Sequence, residues 1–211
     1  MATAFKPFLK RLAKDRSGTA LIEFAVGLPL FLTTATMGLE VANLALAHQA
    51  VSNMSKMAAD TAARGISAID EADINEIFLG SKMSASRFDF GSHGRIILSS
   101  LRPSPTGSGD WIQWQRCSGL LNVTSAYGGE DDGNVGKPSV NTTGIAASAG
   151  TNIMLVEVFY DYQPLLSMNI FGAKRLKYSS AFIVRERDNY AIVNIGNLPD
   201  NKKSLCSTFS A

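Results

Sequence analysis

From Thr19 to Ala47 the chain is nearly uncharged, interrupted only by Glu23 and Glu40. The run between those carboxylates, Phe24 to Leu39, falls short of the ~20 residues that span a ~30 Å hydrocarbon layer, and its apolar flanks make up the length. The pattern predicts a membrane-spanning helix over residues 19–47. Beyond Glu40 the helical signal continues, with Leu44, Val51, Met54 and Ala58 recurring at helical spacings within Ala-rich sequence;. The helix is therefore expected to run on to about Arg64, before Gly65. A second, short helix is predicted over Glu71 to Leu79, with Asp70 as N-cap, Asp73 in the third helical position and Gly80 as a stop signal.

From residue 88 the periodicity changes to that of strands and turns. Arg95–Leu101, Trp111–Arg116, Asn152–Gln163 and Leu176–Arg187 are rich in β-branched and aromatic residues, with Gly, Pro, Ser and Asp clusters between them;. The alternation in the third segment predicts Val156, Val158, Tyr160 and Tyr162 on a core face, and Leu155, Glu157, Phe159 and Asp161 on a face toward water. Pro164 ends that strand, and Tyr178–Arg187 is expected to return beside it as a hairpin across a loop containing Met168 to Lys174. Residues 118–150, rich in Gly, Ser, Asn and Thr, read as a long surface loop. The fold class expected is α+β: a long N-terminal transmembrane and amphipathic helix, then a small antiparallel β-sheet domain.

Charge adds an orientation. The formal net charge is +2, and the basic excess is concentrated early, in Lys6, Lys10, Arg11, Lys14 and Arg16 against Asp15. A basic segment directly before an apolar span places the N-terminus in the cytoplasm and the remainder on the far side. No Lys/Arg cluster follows residue 20, so nucleic-acid binding by phosphate neutralisation is not expected. Catalytic candidates are thin. His48 lies on the long helix and His93 in a Gly/Ser turn, both read as surface histidines with no nucleophile and base beside them. Glu130, Asp131, Asp132 and Asn134 around Gly133 lack the alternating oxygen ligands of a calcium loop and read as a solvated acidic turn. Trp111, Trp114, Tyr160 and Tyr162 read as packing residues rather than a sugar-binding surface. The expectation is a structural protein with no enzyme activity, cofactor, metal or small-molecule substrate. Cys117 and Cys206 carry no CxxC spacing;. An exported body would join them in a disulfide, whereas a cytosolic one would leave two free thiols.

The sharpest feature is the string Arg16-Ser17-Gly18-Thr19-Ala20-Leu21-Ile22-Glu23-Phe24 at the cytoplasmic edge of the span. A carboxylate near lipid costs about 2 to 3 kcal/mol even on lenient scales and calls for a partner. Cleavage after Gly18 would create one in the new α-amino group of Thr19, which the Glu23 of a neighbouring subunit could meet.

Gly18, Glu23 and Phe24 resemble the Gly/xxxxGlu-aromatic processing motif of Flp-type prepilins, and Pro29, Gly38, Leu39 and Glu40 resemble the pattern of TadE-like pseudopilins. Further on, Gln113–Gly119, Val156–Tyr162 with Pro164, and Arg185-Glu186-Arg187 are similar to the C-terminal half of TadE-family proteins. The resemblance implies a pilin-like minor pilin or pseudopilin of the tight-adherence pilus system. It implies residues 1–18 as a basic prepilin leader, 19–47 as the span, 48–87 as helix continuation plus second helix, and 88–211 as the exported domain. Its implied partners are the bacterial inner membrane, a prepilin peptidase cutting between Gly18 and Thr19, other pilins or pseudopilins, and the pilus assembly platform, with Glu23 and Phe24 serving assembly. Two other readings compete: an unprocessed membrane-anchored periplasmic binding or adhesion module, and a soluble protein released by cleavage after Ala47, where Ala45-Leu46-Ala47 has the small-x-small form of a secretory site.

Overall fold

A computed structural model of the chain describes residues 11, 14, 17–65, 67–140, 144–166, 172–185, 187 and 189–209. Most of the basic leader, the loop residues 168–171 and Glu186 lie outside these. The chain divides into two units, residues 1–43 and 44–211. Helix α1, Ser17–Arg64, supplies the described helix of the first unit and opens the second. In the second unit follow α2 (Glu71–Ser84), α3 (Phe90–His93), β1 (Gly94–Pro103), β2 (Asp110–Ser118), β3 (Ile153–Tyr162), β4 (Lys174–Ile183) and a 3-10 turn at Asp200–Lys202. The long apolar helix followed by an antiparallel sheet makes the fold α+β, as expected.

Helix α2 starts as the sequence predicts. The Asp70 side chain caps the first turn, and Asp73 reaches back to the Asp70 amide at 3.0 Å. It does not stop at Gly80 but runs to Ser84. Glycine inside a helix costs only about 1 kcal/mol. Ser81, one residue on, is buried and donates to the Ile77 carbonyl at 2.7 Å, so the next turn has packing to gain.

The sheet order is β2-β1-β3-β4, with every neighbouring pair antiparallel. β3 and β4 pair from Ile153↔Ile183 to Tyr162↔Lys174, the expected hairpin, although β4 begins and ends earlier than its apolar pattern suggests. β2 and β3 both oppose β1 and so run parallel to each other. The chain leaving Ser118 therefore has to cross the sheet before β3 can start, as any parallel connection must. Gly119, at φ 114°, makes the exit possible, because a Cβ there would strike the Gly94 carbonyl.

The described residues of 119–150 carry no helix or strand, the long loop expected, and this loop lies over one face of the sheet. On one face of the sheet, Ile96, Leu98, Trp114, Met154, Val156, Val158, Tyr160 and Tyr162 pack against Ala47, Val51, Met54, Ala58 and Ala62 of α1 and against Ile74 and Phe78 of α2. On the other, Leu101, Ile112, Ile153 and Leu155 lie under Tyr127, Val140, Ile145 and Ala147, and Ile97 and Phe159 under Leu121 and Val123. The central strands are thus buried on both faces. Glu157, expected in water, is 1 % exposed. Its carboxylate accepts from the Ser125 hydroxyl and, at 3.1 Å, from the Ala126 amide, with Lys177 Nζ 3.3 Å away.

The outer edge of β2 is fully engaged. Ile112 exchanges backbone hydrogen bonds with Asp131 and Asp132, the Gln115 amide donates to Glu130 Oε2, and the Cys117 amide donates to the Ser204 carbonyl at 2.8 Å. Among the described residues no strand lies beside the outer edge of β4, which carries the exposed Lys174, Arg175 and Lys177.

Candidate functional site

Within the first unit, the described side chains of α1 from Gly18 to Ala35 are all exposed. Leu21, Ile22, Phe24, Val26, Leu30 and Phe31 each leave more than 60 % of their surface uncovered. These residues point in every direction around the helix, whereas a helix on a soluble core shows one apolar stripe. At 1.5 Å per residue, the segment from Gly18 to Leu39 measures about 33 Å, enough to cross the hydrocarbon layer. One helix among the described residues is long and apolar enough for that, and its most apolar window has a mean hydropathy of 1.6.

Three hydroxyls of the span are provided for locally. Pro29 has no amide to donate, yet the helix runs through it;. One turn later the Thr33 hydroxyl donates to the Pro29 carbonyl at 2.7 Å, Thr34 to Leu30 at 3.0 Å and Thr36 to Leu32 at 2.8 Å. Hydroxyls that bond back into their own helix meet no penalty for lacking water. Sequence reasoning passed over these three threonines; the legible signal was a hydroxyl four residues after each carbonyl within an apolar run.

Gly18 lies in the first turn of α1 with open space at its Cβ position. Thr19 and Glu23 are one helical turn apart and so share a face, about 6 Å apart along the axis. Phe24, beside Glu23, is 63 % exposed. Glu40 is 2 % exposed and is not without a partner. His48, expected on the surface, is half-buried, with its Nδ1 3.0 Å from the Tyr178 hydroxyl.

In the second unit Cys117 and Cys206 form a disulfide, with Cα atoms 4.7 Å apart. The C-terminal segment that carries Cys206 is further fixed by the Trp114 Nε1 bond to the Tyr190 carbonyl at 3.0 Å and by the Ser204 hydroxyl on Asn75. One residue before the disulfide, Arg116 grips Glu71 with two nitrogens, Nη2 at 2.7 Å from Oε1 and Nε at 3.0 Å from Oε2. Its Nη1 reaches Glu130 at 3.2 Å. Burial pushes the Arg116 guanidinium down, but the hydrogen bonds and charges of Glu71 and then Glu130 outweigh it, so the group is held above the usual arginine value. This pair joins the first turn of α2 to β2, a link that no spacing in the sequence announces. The aromatic residues Trp114, Tyr160 and Tyr162 are core, while Trp111 is half-buried.

No curated protein and no solved structure matches the chain. Residues 18–64, which are α1 without its first residue, match the family model described as TadE-like protein, and over that helix the chain is similar to that family.

Proposed function

We propose that this protein is a non-enzymatic minor pilin or pseudopilin that takes part in assembling a Flp-type (tight-adherence) pilus or related secretion apparatus. A prepilin peptidase cuts it after Gly18, and the apolar part of α1 then holds it in the bacterial inner membrane as a single-pass protein. The N-terminus faces the cytoplasm and residues 44–211 face the periplasm or exterior. The observation that carries this reading is a helix whose N-terminal part is apolar on all sides, which has Gly18 in its first turn, bears Glu23 on its second, and is the segment that matches the TadE-like family. The disulfide supports export, since such bonds persist in oxidising compartments;.

Glu23 then acts as the assembly residue, with Phe24 beside it. After cleavage, the α-amino group of Thr19 is a cation one turn from the subunit's own Glu23. Pairing instead with the Glu23 of an adjacent subunit neutralises both charges in lipid and fixes an axial offset of about 6 Å between helices. Release after Ala47 is the weaker alternative: that cut falls inside α1 and would remove Ala47, a fully buried core residue, from the fold.

The test is the N-terminal sequence and mass of the mature protein recovered from the native cell envelope. A start at Thr19 is expected. A start at His48 would make the protein a released one, and an uncut N-terminus would leave an anchored periplasmic module in which Gly18 and Glu23 have no processing role.

A further inference from the structure

Inside the second unit, the later part of α1 and strand β4 lie side by side and run in the same direction. His48 Nδ1 is 3.0 Å from the Tyr178 hydroxyl, Ser55 Oγ is 2.9 Å from Ser180 Oγ, and the Arg185 amide donates to the Ala63 carbonyl at 3.4 Å. From His48 to Ala63 the helix rises about 22 Å, and from Tyr178 to Arg185 the extended chain covers about 23 Å, so the two stay in step. Carried the other way, the strand from Tyr178 back to Lys174 covers about 13 Å, whereas the helix from His48 back to Leu44, where the chain enters this unit, covers about 6 Å. The start of β4 therefore lies at the same end of the unit as the point of entry and reaches about 7 Å beyond it.

β3 finishes at this end, with Tyr162 opposite Lys174, and the chain continues through Pro164 into Leu165 and Leu166. Leu165 leaves 68 % of its surface uncovered and Leu166 46 %. Water-facing connections between strands favour Gly, Asn, Asp and Ser, so two adjacent exposed leucines describe a surface suited to something other than water. Lys174, at the same end, is exposed and makes no ion pair among the described residues. The acids there are answered: Arg175 holds Asp161 at 2.6 and 2.8 Å, and Asp89 lies 3.5 Å from His93.

What covers this surface follows from the tether. The hydrocarbon crossing read for α1 is complete by Leu39, and the chain from there to Leu44 extends no more than about 18 Å. The headgroup layer is itself about 5 to 7 Å deep. Whatever angle the unit takes, this end of it is held within reach of lipid phosphates, and a contact too weak to form in free solution becomes an intramolecular one. We propose that this end of the second unit is a lipid-binding surface: Leu165 and Leu166 dip into the boundary between headgroups and acyl chains of the membrane that holds α1, and Lys174 pairs with a lipid phosphate. The proposal rests on the reading of α1 as a membrane anchor and adds a second, separate contact with the bilayer.

The experiment places the full chain, as Leu165→Trp, in nanodiscs whose lipids carry bromine on the acyl chains near the headgroup. It reads the fluorescence lost beyond that of the native Trp111 and Trp114. Bromine quenches only at short range, so tethering without contact gives no signal. Val135→Trp is the reference, since Val135 is 72 % exposed and follows Gly133, which packs on Asp110 where β2 pairs with Pro103 at the opposite end of the sheet. Strong quenching of Leu165→Trp and little of Val135→Trp is expected, greater with phosphatidylglycerol present than with phosphatidylcholine alone. Lys174→Gln should lower the docked-to-free ratio about fivefold in the anionic nanodiscs and leave it little changed in the neutral ones. Leu165→Trp quenched no more than Val135→Trp, in a chain that has entered the nanodiscs, would overturn the proposal and leave the anchor standing; a chain that does not enter them would overturn both. Indifference to lipid charge and to Lys174→Gln would also overturn it. A blue shift of the Leu165→Trp emission without quenching would seat a second copy of the chain on this surface and so overturn it as well.

Discussion

Replacing Glu71 with alanine takes away the carboxylate that holds two nitrogens of Arg116 and strands a guanidinium whose side chain is 8 % exposed. Glu130 cannot take over, because its contact is with Nη1 alone and about half of its side chain is in water. Breaking one partner of a buried pair costs about 3 to 5 kcal/mol, since the remaining charge cannot leave its site. For a unit of this size, about 2 to 4 °C of Tm accompanies each kcal/mol, so a fall of about 6 to 20 °C is expected. Fluorescence reports it directly, because the two tryptophans of the chain, Trp111 and Trp114, both lie on β2 with Arg116. The informative comparison is Glu71→Leu with Arg116→Met. Removing both charges abolishes the desolvation cost together with the attraction, so this double variant should match or exceed the parent in stability. A Tm change below about 2 °C for Glu71→Ala, or a double variant as unstable as the single, would refute the assignment of a buried charge pair at this joint.

Glu23→Gln should leave insertion, disulfide formation and thermal stability unchanged while pilus number on the cell surface falls sharply; normal piliation would remove Glu23 from assembly. Replacing Cys117 and Cys206 together with serine releases a loop of sequence separation 89 and should cost about 4 to 5 kcal/mol on the chain-entropy model, read as a lowered urea midpoint under non-reducing conditions;. Burial pushes the Lys82 ammonium below the ordinary lysine value of about 10.4;. Between its folded value and that ordinary value the unfolded chain binds more protons, so the destabilisation is fully present below the folded value and fades as pH rises through it. Lys82→Met should therefore raise Tm at pH 7, and the gain should shrink as the pH approaches 10; an equal gain at both would contradict this.

What could be read in advance was what has a local or periodic cause. The apolar run of α1, the Asp70 and Asp73 capping box and the alternation of Val156, Val158, Tyr160 and Tyr162 depend on neighbours within a turn or a pleat, and all three are found. The second buried face escaped because its cover is a crossover with no period of its own: Tyr127, Val140 and Ile145 are isolated apolar residues in a Gly- and Ser-rich stretch. Glu157 misled for the same reason, since a carboxylate on a strand reads as solvent-facing until Ser125 and Ala126 are folded over it. Arg187 and Arg116 find their partners at separations of 122 and 45 residues, beyond the reach of any local rule.

The two borders of the sheet limit how copies of this domain can join by strand pairing. One border is closed by the chain itself, at Asp131, Asp132, Glu130 and Ser204, so a second copy can approach only along β4. Two copies meeting there would use the same strand on each side, and such a contact is two-fold and self-limiting. The exposed Lys174, Arg175 and Lys177 on that strand discourage even that pair;. Runaway sheet growth, the hazard of a β-rich domain crowded at a membrane, is therefore shut off by topology at one border and by charge at the other.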